Sequence, residues 1–335
     1  MATDDLRIIE LLRSLEWALC RRLAEDVSKK SAGELSAVVR EGEDDTIYGI
    51  DLDTENFIVD YFEKHIAREV PCVLIAEGLP PEGVVFTPSG RAGDAEYTII
   101  MDPLDGTRGL MYKKRSAWVL AGAARGAGPG LTLADVVGAV QTEIPPPKQC
   151  CADQLYAAAG GGAKGEIRDL RSGASKNFLP RPSESSELQY GFVTFSRFFP
   201  GAKDLIMDIE TELCRRFETR GEKTFYFEDQ YICSGGQLAE LACGRDRFCC
   251  DLRAALSGAV LARSGSPPLC VHPYDVCTEL IAREAGVVVT DEKGGRLSAP
   301  LDTTTDVSWI GYANRDIREM IEKDLLDIIF SHCGH

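Results

Sequence analysis

Two aspartates three residues apart hold the most chemical promise in this chain, in the segment Asp102-Pro103-Leu104-Asp105-Gly106-Thr107. The run Tyr97-Thr98-Ile99-Ile100-Met101 reads as a strand that delivers Asp102 to its C-terminal edge. Pro103 has no N–H to donate and is expected to stop the ladder, after which Asp105 turns back. Carboxylates this close repel one another unless a cation or a proton intervenes. Hard oxygen donors in such a pattern suit Mg²⁺, which accepts a few carboxylates and keeps water for exchange. Gly106 and Thr107 follow with backbone N–H groups able to face a phosphate. The competing reading is an ordinary turn capped by an aspartate, since Asp, Pro and Gly are all turn formers.

Other acids could join this pair. Glu77 ends the apolar run Cys72-Val73-Leu74-Ile75-Ala76, and if the two strands are neighbours, Glu77 and Asp102 share one sheet edge. Asp275 follows His272-Pro273-Tyr274 and opens a helical pattern, as an N-cap, as a third carboxylate for a second metal, or as both. Lys113-Lys114-Arg115, and Arg197 and Lys203 around Phe198-Phe199-Pro200-Gly201, read either as solvated surface charge or as anion contacts. His65 and His272 have neither a paired nucleophile nor metal spacing and receive no catalytic role. Ser234 has no base near it in sequence and reads as a binding residue.

The elements that must position these residues alternate. Residues 5–28 predict an amphipathic helix with Leu6, Ile9, Leu12, Trp17, Leu19 and Leu23 on its stripe. A second helix follows Asp51, with Phe57, Ile58, Tyr61, Phe62 and Ile66 apolar. Residues 78–95 read as a loop, and strands are expected at 117–123, 135–142 and 155–159. The Gly-, Ser- and Pro-rich stretch 160–187 is the best candidate domain connection, giving an N-terminal α+β domain over 1–187 and a C-terminal α/β domain over 188–335. Beyond it, strand and helix alternate: strands at 191–195, 247–250, 287–289 and 308–313, helices at 203–219, 237–243, 275–286 and 314–329. This favours α/β layering.

Composition narrows the function. The 335 residues carry a formal net charge of −16, so the chain is a poor general nucleic-acid binder. A phosphorylated substrate stays compatible if divalent cations occupy the carboxylates and reverse the local sign. Twelve cysteines lack zinc-type spacing, and the acidic start Met1-Ala2-Thr3-Asp4-Asp5 is unlike a secretory signal, so a reduced, cytoplasmic protein is expected. No apolar run approaches the roughly 18 residues of a membrane span.

With these residues set out, the chain resembles the inositol monophosphatase superfamily, which also contains fructose-1,6-bisphosphatases and 3′-phosphoadenosine nucleotide phosphatases. Asp102-Pro103-Leu104-Asp105-Gly106-Thr107 resembles its first signature, and Tyr274-Asp275 with Ala282-Arg283-Glu284-Ala285-Gly286 its second. Glu77 stands where the family has a metal glutamate, and Ile50-Asp51 with Glu55 resembles its early Asp-helix segment. Ser234-Gly235-Gly236-Gln237, Asp251 and Gly311-Tyr312-Ala313-Asn314 fall in the family's order further on. Three features depart from it: Gly78 replaces a glutamate, Tyr274 replaces a tryptophan, and about two dozen residues separate Asp251 from Asp275.

The resemblance implies a layered α/β sandwich with alternating α-β-α-β-α layers. It implies two or three Mg²⁺ ions, one held by Glu77, Asp102 and the Leu104 carbonyl, another shared by Asp102, Asp105 and Asp275. Thr107 and Glu77 would orient and deprotonate the attacking water, with Asp51 supporting Thr107. Gly106, Thr107, Ser234, Gly235 and Asp251 would contact substrate. The expected activity is Mg²⁺-dependent hydrolysis of a small phosphorylated metabolite, an inositol or sugar phosphate, by metal-activated water. The alternatives are a 3′(2′)-phosphonucleotide phosphatase, a fructose-1,6-bisphosphatase, or a catalytically silent protein that binds metal or phosphate. An aspartyl-nucleophile phosphatase fits less well, because its acids are spaced Asp-x-Asp. Neither nucleic acid nor membrane is an expected partner, and a homodimer is compatible with the resemblance.

Overall fold

The computed structural model describes residues 3–36, 38–41, 46–199, 201–222 and 225–333, with side chains described for 5–36 and from 54 onward within those ranges. Helix α1 (Thr3–Lys29) packs along the first face of a large sheet. Its buried stripe runs through Ile8, Leu12, Leu15, Leu19, Leu23 and Val27. Leu6, expected on that stripe, is 39% exposed, whereas its neighbour Asp5 is buried and accepts from the Tyr97 hydroxyl at 2.9 Å. A short helix α2 (Ala32–Leu35) and a small hairpin of β1 (Val38–Glu41) and β2 (Thr46–Tyr48) lead to α3 (Gly49–Tyr61). The second expected helix continues past α3 as one π turn, Phe62–Ile66, which keeps Ile58, Phe62 and Ile66 buried.

The eight strands of the large sheet are β3 (Cys72–Ala76), β4 (Val84–Phe86), β5 (Tyr97–Asp105), β6 (Ala117–Arg125), β7 (Val136–Ile144), β8 (Cys151–Ala158), β9 (Ala163–Asp169) and β10 (Ser175–Phe178), ordered β10-β9-β8-β7-β6-β5-β3-β4. Two sequence expectations are corrected here. The stretch 160–187 is not wholly a connection, because it contains β9 and β10, which pair as an edge hairpin. Their composition hid them: short edge strands carry charge and Gly, which discourages further pairing. The stretch 78–95 likewise contains β4, paired antiparallel to β3.

β3 and β5 are parallel neighbours with Ala76 opposite Met101, so Glu77 and Asp102 emerge side by side. The Glu77 N–H donates to the Met101 carbonyl at 3.3 Å. Pro103 interrupts the ladder without ending it: a bulge spans Asp102 to Asp105, and pairing resumes with Asp105 opposite Trp118. A helical turn, α4 (Thr107–Met111), follows at once.

The second half builds the remaining layers. β11 (Phe192–Phe195), β12 (Asp246–Asp251), β13 (Val288–Thr290) and β14 (Trp309–Tyr312) form a four-stranded sheet ordered β11-β12-β14-β13. Helices α6 (Ser234–Ala242) and α8 (Glu279–Ala285) lie between the two sheets, α7 (Ser257–Ser264) belongs to the stretch after β12, and α5 (Lys203–Thr219) and α9 (Arg315–His332) cover the outer face. Side chains alternate accordingly: Ile99 and Met101 face α1, while Ile100 and Leu120 face α6 and α8. The layers run α-β-α-β-α, as the fold expectation has it. All twelve cysteines are free thiols.

The middle layer sits tightly on the large sheet. A Cβ at Gly122 on β6 would lie 2.6 Å from the Cys277 carbonyl oxygen, a backbone atom that cannot swing aside. Gly122→Ala should therefore lower stability by about 1–3 kcal/mol in urea unfolding. An unchanged unfolding midpoint would show that this contact is looser than described.

Candidate metal centre

The site lies where β3 and β5 end, at the base of a cavity of about 790 Å³. One carboxylate oxygen each from Asp102, Asp105 and Asp275 lies within 4.8 Å of the others. Asp102 and Asp105 are buried, and Asp275 is partly exposed. Each accepts a backbone N–H: Asp102 from Leu104 at 2.8 Å, Asp105 from Gly235 at 2.6 Å, and Asp275 from His272 at 2.6 Å. Two elements, β5 and the turn Pro273–Val276, thus aim three like charges at one point, each held by a backbone N–H from a different place.

The electrostatics follow from this placement. Burial raises the Asp102 pKa well above the ordinary carboxyl range, and the charges of Glu77, Asp105 and Asp275 raise it further. Burial, then the Asp275 charge, pushes Asp105 to about 8, against the lowering effect of the Gly235 N–H. Asp275 rises to about 6, mainly by burial. Converging buried carboxylates are costly unless a cation is present, and hard oxygen donors match a divalent ion such as Mg²⁺. The donor set therefore fits the metal that the sequence suggests.

The surrounding residues sort clearly. Gly106 has φ 89°, and a Cβ there would meet the Cys233 side chain at 3.0 Å, so the turn requires glycine. The Thr107 hydroxyl donates to the Leu104 carbonyl at 2.7 Å, joining two of the expected site residues. Glu77, Leu104, Gly106, Thr107 and Ser234 all line the cavity. Gly235 does not line it; its N–H, at the start of α6, holds Asp105. The Asp51 side chain lies outside the described residues.

Asp251 is placed otherwise than as a direct substrate contact. It is fully buried at the end of β12 and absent from the cavity lining. Its carboxylate accepts from Arg253, with Nε at 2.9 Å from Oδ1 and 3.0 Å from Oδ2. Arg253 is the residue of this pair that reaches the cavity, with its guanidinium 4.8 Å from the Phe198 ring centre and 5.1 Å from that of Phe199. It also donates to the Leu269 carbonyl, so the extra stretch 252–274 is tied down and its residues 266–272 form one wall.

Sequence reasoning gives His272 no catalytic role and does not single out Arg253. His272 forms a capping box with Asp275 on the turn Pro273–Val276, and its ring lies 3.9 Å from the Asp275 carboxylate. Asp275 is thus the third residue of a 3₁₀ turn, and the helix proper starts later, at Glu279. The dipeptide His272-Pro273 ahead of an aspartate was the available signal. Arg197 pairs with Glu210 at 2.5 Å and also with Glu228, and Arg115 pairs with Asp229, which accounts for both as structural charges. Lys113 donates to the Lys30 carbonyl at 2.6 Å.

No family model and no curated protein matches this chain by sequence. Solved structures do match it. The extragenic suppressor protein suhB of Bartonella henselae superposes with TM-score 0.63 and 20% identity, covering 95% of this chain and 98% of its own. The IMPase of Thermotoga maritima gives 0.61 and 19%, covering 97% and 99%. The fructose-1,6-bisphosphatase of Leishmania major gives 0.62 and 14%, covering 96% and 94%. Over nearly its whole length, then, the chain has the fold of inositol monophosphatase-type structures. Among the described residues, no helix is long and apolar enough to cross a membrane.

The raised carboxyls give a pH test. Their folded pKa values lie above the ordinary 3.8, so the metal-free folded state binds more protons than the unfolded chain over that interval. The stability this contributes is complete below about pH 4 and is lost as pH rises through the folded values. In EDTA the thermal midpoint should fall between about pH 5 and about pH 8.5, and excess Mg²⁺ should remove the fall. An EDTA profile that is flat, or rises, would contradict this account of the centre.

Proposed function

We propose that the chain is a Mg²⁺-dependent phosphate-monoester hydrolase acting on a small phosphorylated metabolite. The observation that carries this reading is the convergence of Asp102, Asp105 and Asp275 within 4.8 Å at the base of a large cavity, with Glu77 alongside. Glu77, Asp102, Asp105, Asp275 and the Leu104 carbonyl would hold the ions. When bound, divalent cations neutralise the phosphate and favour ionisation of the attacking water.

The chain's own residues do the remainder. The Thr107 hydroxyl, set against the Leu104 carbonyl, orients the water together with Glu77, which takes its proton. Asp51 keeps the supporting role toward Thr107 that the resemblance implies. The start of α6 directs backbone N–H groups toward the acids and sets Ser234 on the cavity wall, where the phosphate's charge is accommodated. Water attacks phosphorus in line as Glu77 takes its proton, the ester P–O bond breaks, the leaving oxygen takes a proton from solvent, and alcohol and inorganic phosphate leave while Glu77 returns its proton to solvent. The Asp-x-x-Asp spacing argues against a phospho-aspartate.

A second reading is a larger substrate with another anionic group, such as fructose bisphosphate or a 3′-phosphonucleotide. It is favoured by the guanidinium of Arg253 and the rings of Phe198 and Phe199 on the cavity wall.

Phosphate release should require Mg²⁺, and Asp105→Asn should lower it by about 100-fold or more. At about pH 9, where Asp105 is ionised, the same variant should melt no lower than wild type in EDTA, since it removes a repelling charge. Near-normal turnover by Asp105→Asn would overturn the metal-centred mechanism. A screen across inositol monophosphates, fructose bisphosphate and 3′-phosphonucleotides decides between the two substrate readings.

A further inference from the structure

Gly78 breaks the family pattern directly beside the metal centre, where a glutamate is expected after Glu77. The structure accounts for the missing side chain. Gly78 has φ 79°, and a Cβ built on it would lie 2.1 Å from Oε1 of Glu55, 2.5 Å from its Cδ and 3.0 Å from its Cγ. The Glu55 carboxylate, reaching over from α3, occupies the space that a side chain at position 78 would enter. Glu55, Glu77 and Gly78 line the same cavity as Asp102, Asp105 and Asp275.

We infer that Glu55 is a further metal-facing carboxylate of this centre, supplied from α3 in place of a side chain at position 78. The inference rests on the metal-centred reading above. Its physical basis is steric and electrostatic together. Glycine at 78 is what allows a carboxylate from another element to lie against the backbone next to Glu77. The acid so placed adds negative charge and hard oxygen donors at the rim of a centre whose other members already repel one another. A divalent ion on the Glu77 side of the cluster gains from Glu55 what Gly78 cannot give.

The test is Mn²⁺ binding to the metal-free protein, followed by the electron paramagnetic resonance of free Mn²⁺, with thermal midpoints in EDTA as the check on folding. Glu55→Gln preserves shape and should weaken the weakest-bound Mn²⁺ by about 10-fold or more. Gly78→Ala alters no carboxylate, yet its methyl would displace Glu55 and should cause a similar loss. Together the two substitutions should weaken binding no more than either one alone, because both remove the same carboxylate. Gly78→Ala also strains the backbone at φ 79°, which lowers the melting point in EDTA, and the double variant separates any effect of that strain on affinity from the loss of the Glu55 carboxylate.

Wild-type affinity in Glu55→Gln would overturn the inference. So would a further loss of affinity when Gly78→Ala is added to the Glu55→Gln background, since that assigns the effect to backbone movement at Glu77. Both outcomes leave Mn²⁺ bound to the wild-type protein and the proposed function intact. Failure of the wild-type protein to bind Mn²⁺ at all would overturn both.

Discussion

Mutual repulsion among Asp102, Asp105 and Asp275, confined within 4.8 Å, is the constraint that the rest of the site answers. Each carboxylate is steadied by a backbone N–H from a different place: its own bulged strand, the first turn of α6, and the turn before α8. These donors favour the charged form without supplying a counter-cation, so each acid keeps bonding capacity toward the shared point. The bulge after Asp102 belongs to the same solution. It lets β5 deliver two acids and still rejoin its ladder opposite Trp118.

Rigidity on the far side of the cavity comes from a buried ion pair. Arg253 and Asp251 are both almost fully buried, and burying such a pair is costly unless further hydrogen bonds satisfy it. Here the Arg253 guanidinium also takes the Leu269 carbonyl and lies over two aromatic rings. Residues 266–272, in the stretch that follows β12 and α7, are thereby fixed as a wall of the cavity. They therefore shape the cavity, and of the three carboxylates at its base only Asp275 is held from this stretch, by the His272 N–H.

Legibility followed locality. The long amphipathic helices and the buried strands were readable because their apolar periodicity is written in adjacent residues, as in 203–219, which is helical over exactly that span in α5. The hairpin of β9 and β10 was not readable, since its residues alternate weakly and its stability comes from pairing with β8. Asp251 was read from its place in the order of motifs. That order could not reveal that Arg253, two residues on, would turn back and claim the carboxylate.

The sequence by itself determined the local chemistry: a strand that delivers Asp102, a second aspartate three residues on, a following Gly106-Thr107 with backbone N–H groups to offer, and a hard-oxygen donor set. Tertiary structure alone decided which acids meet. Glu77 lies beside Asp102 only because β3 and β5 pair in parallel with Ala76 opposite Met101. Asp275 reaches both aspartates only because the middle helical layer packs against the sheet closely enough to exclude a side chain at Gly122. Glu55 lies against the backbone at Gly78 only because that residue has no side chain. Such convergence is set by register and interlayer packing, which depend on many distant residues at once, and no local pattern records it.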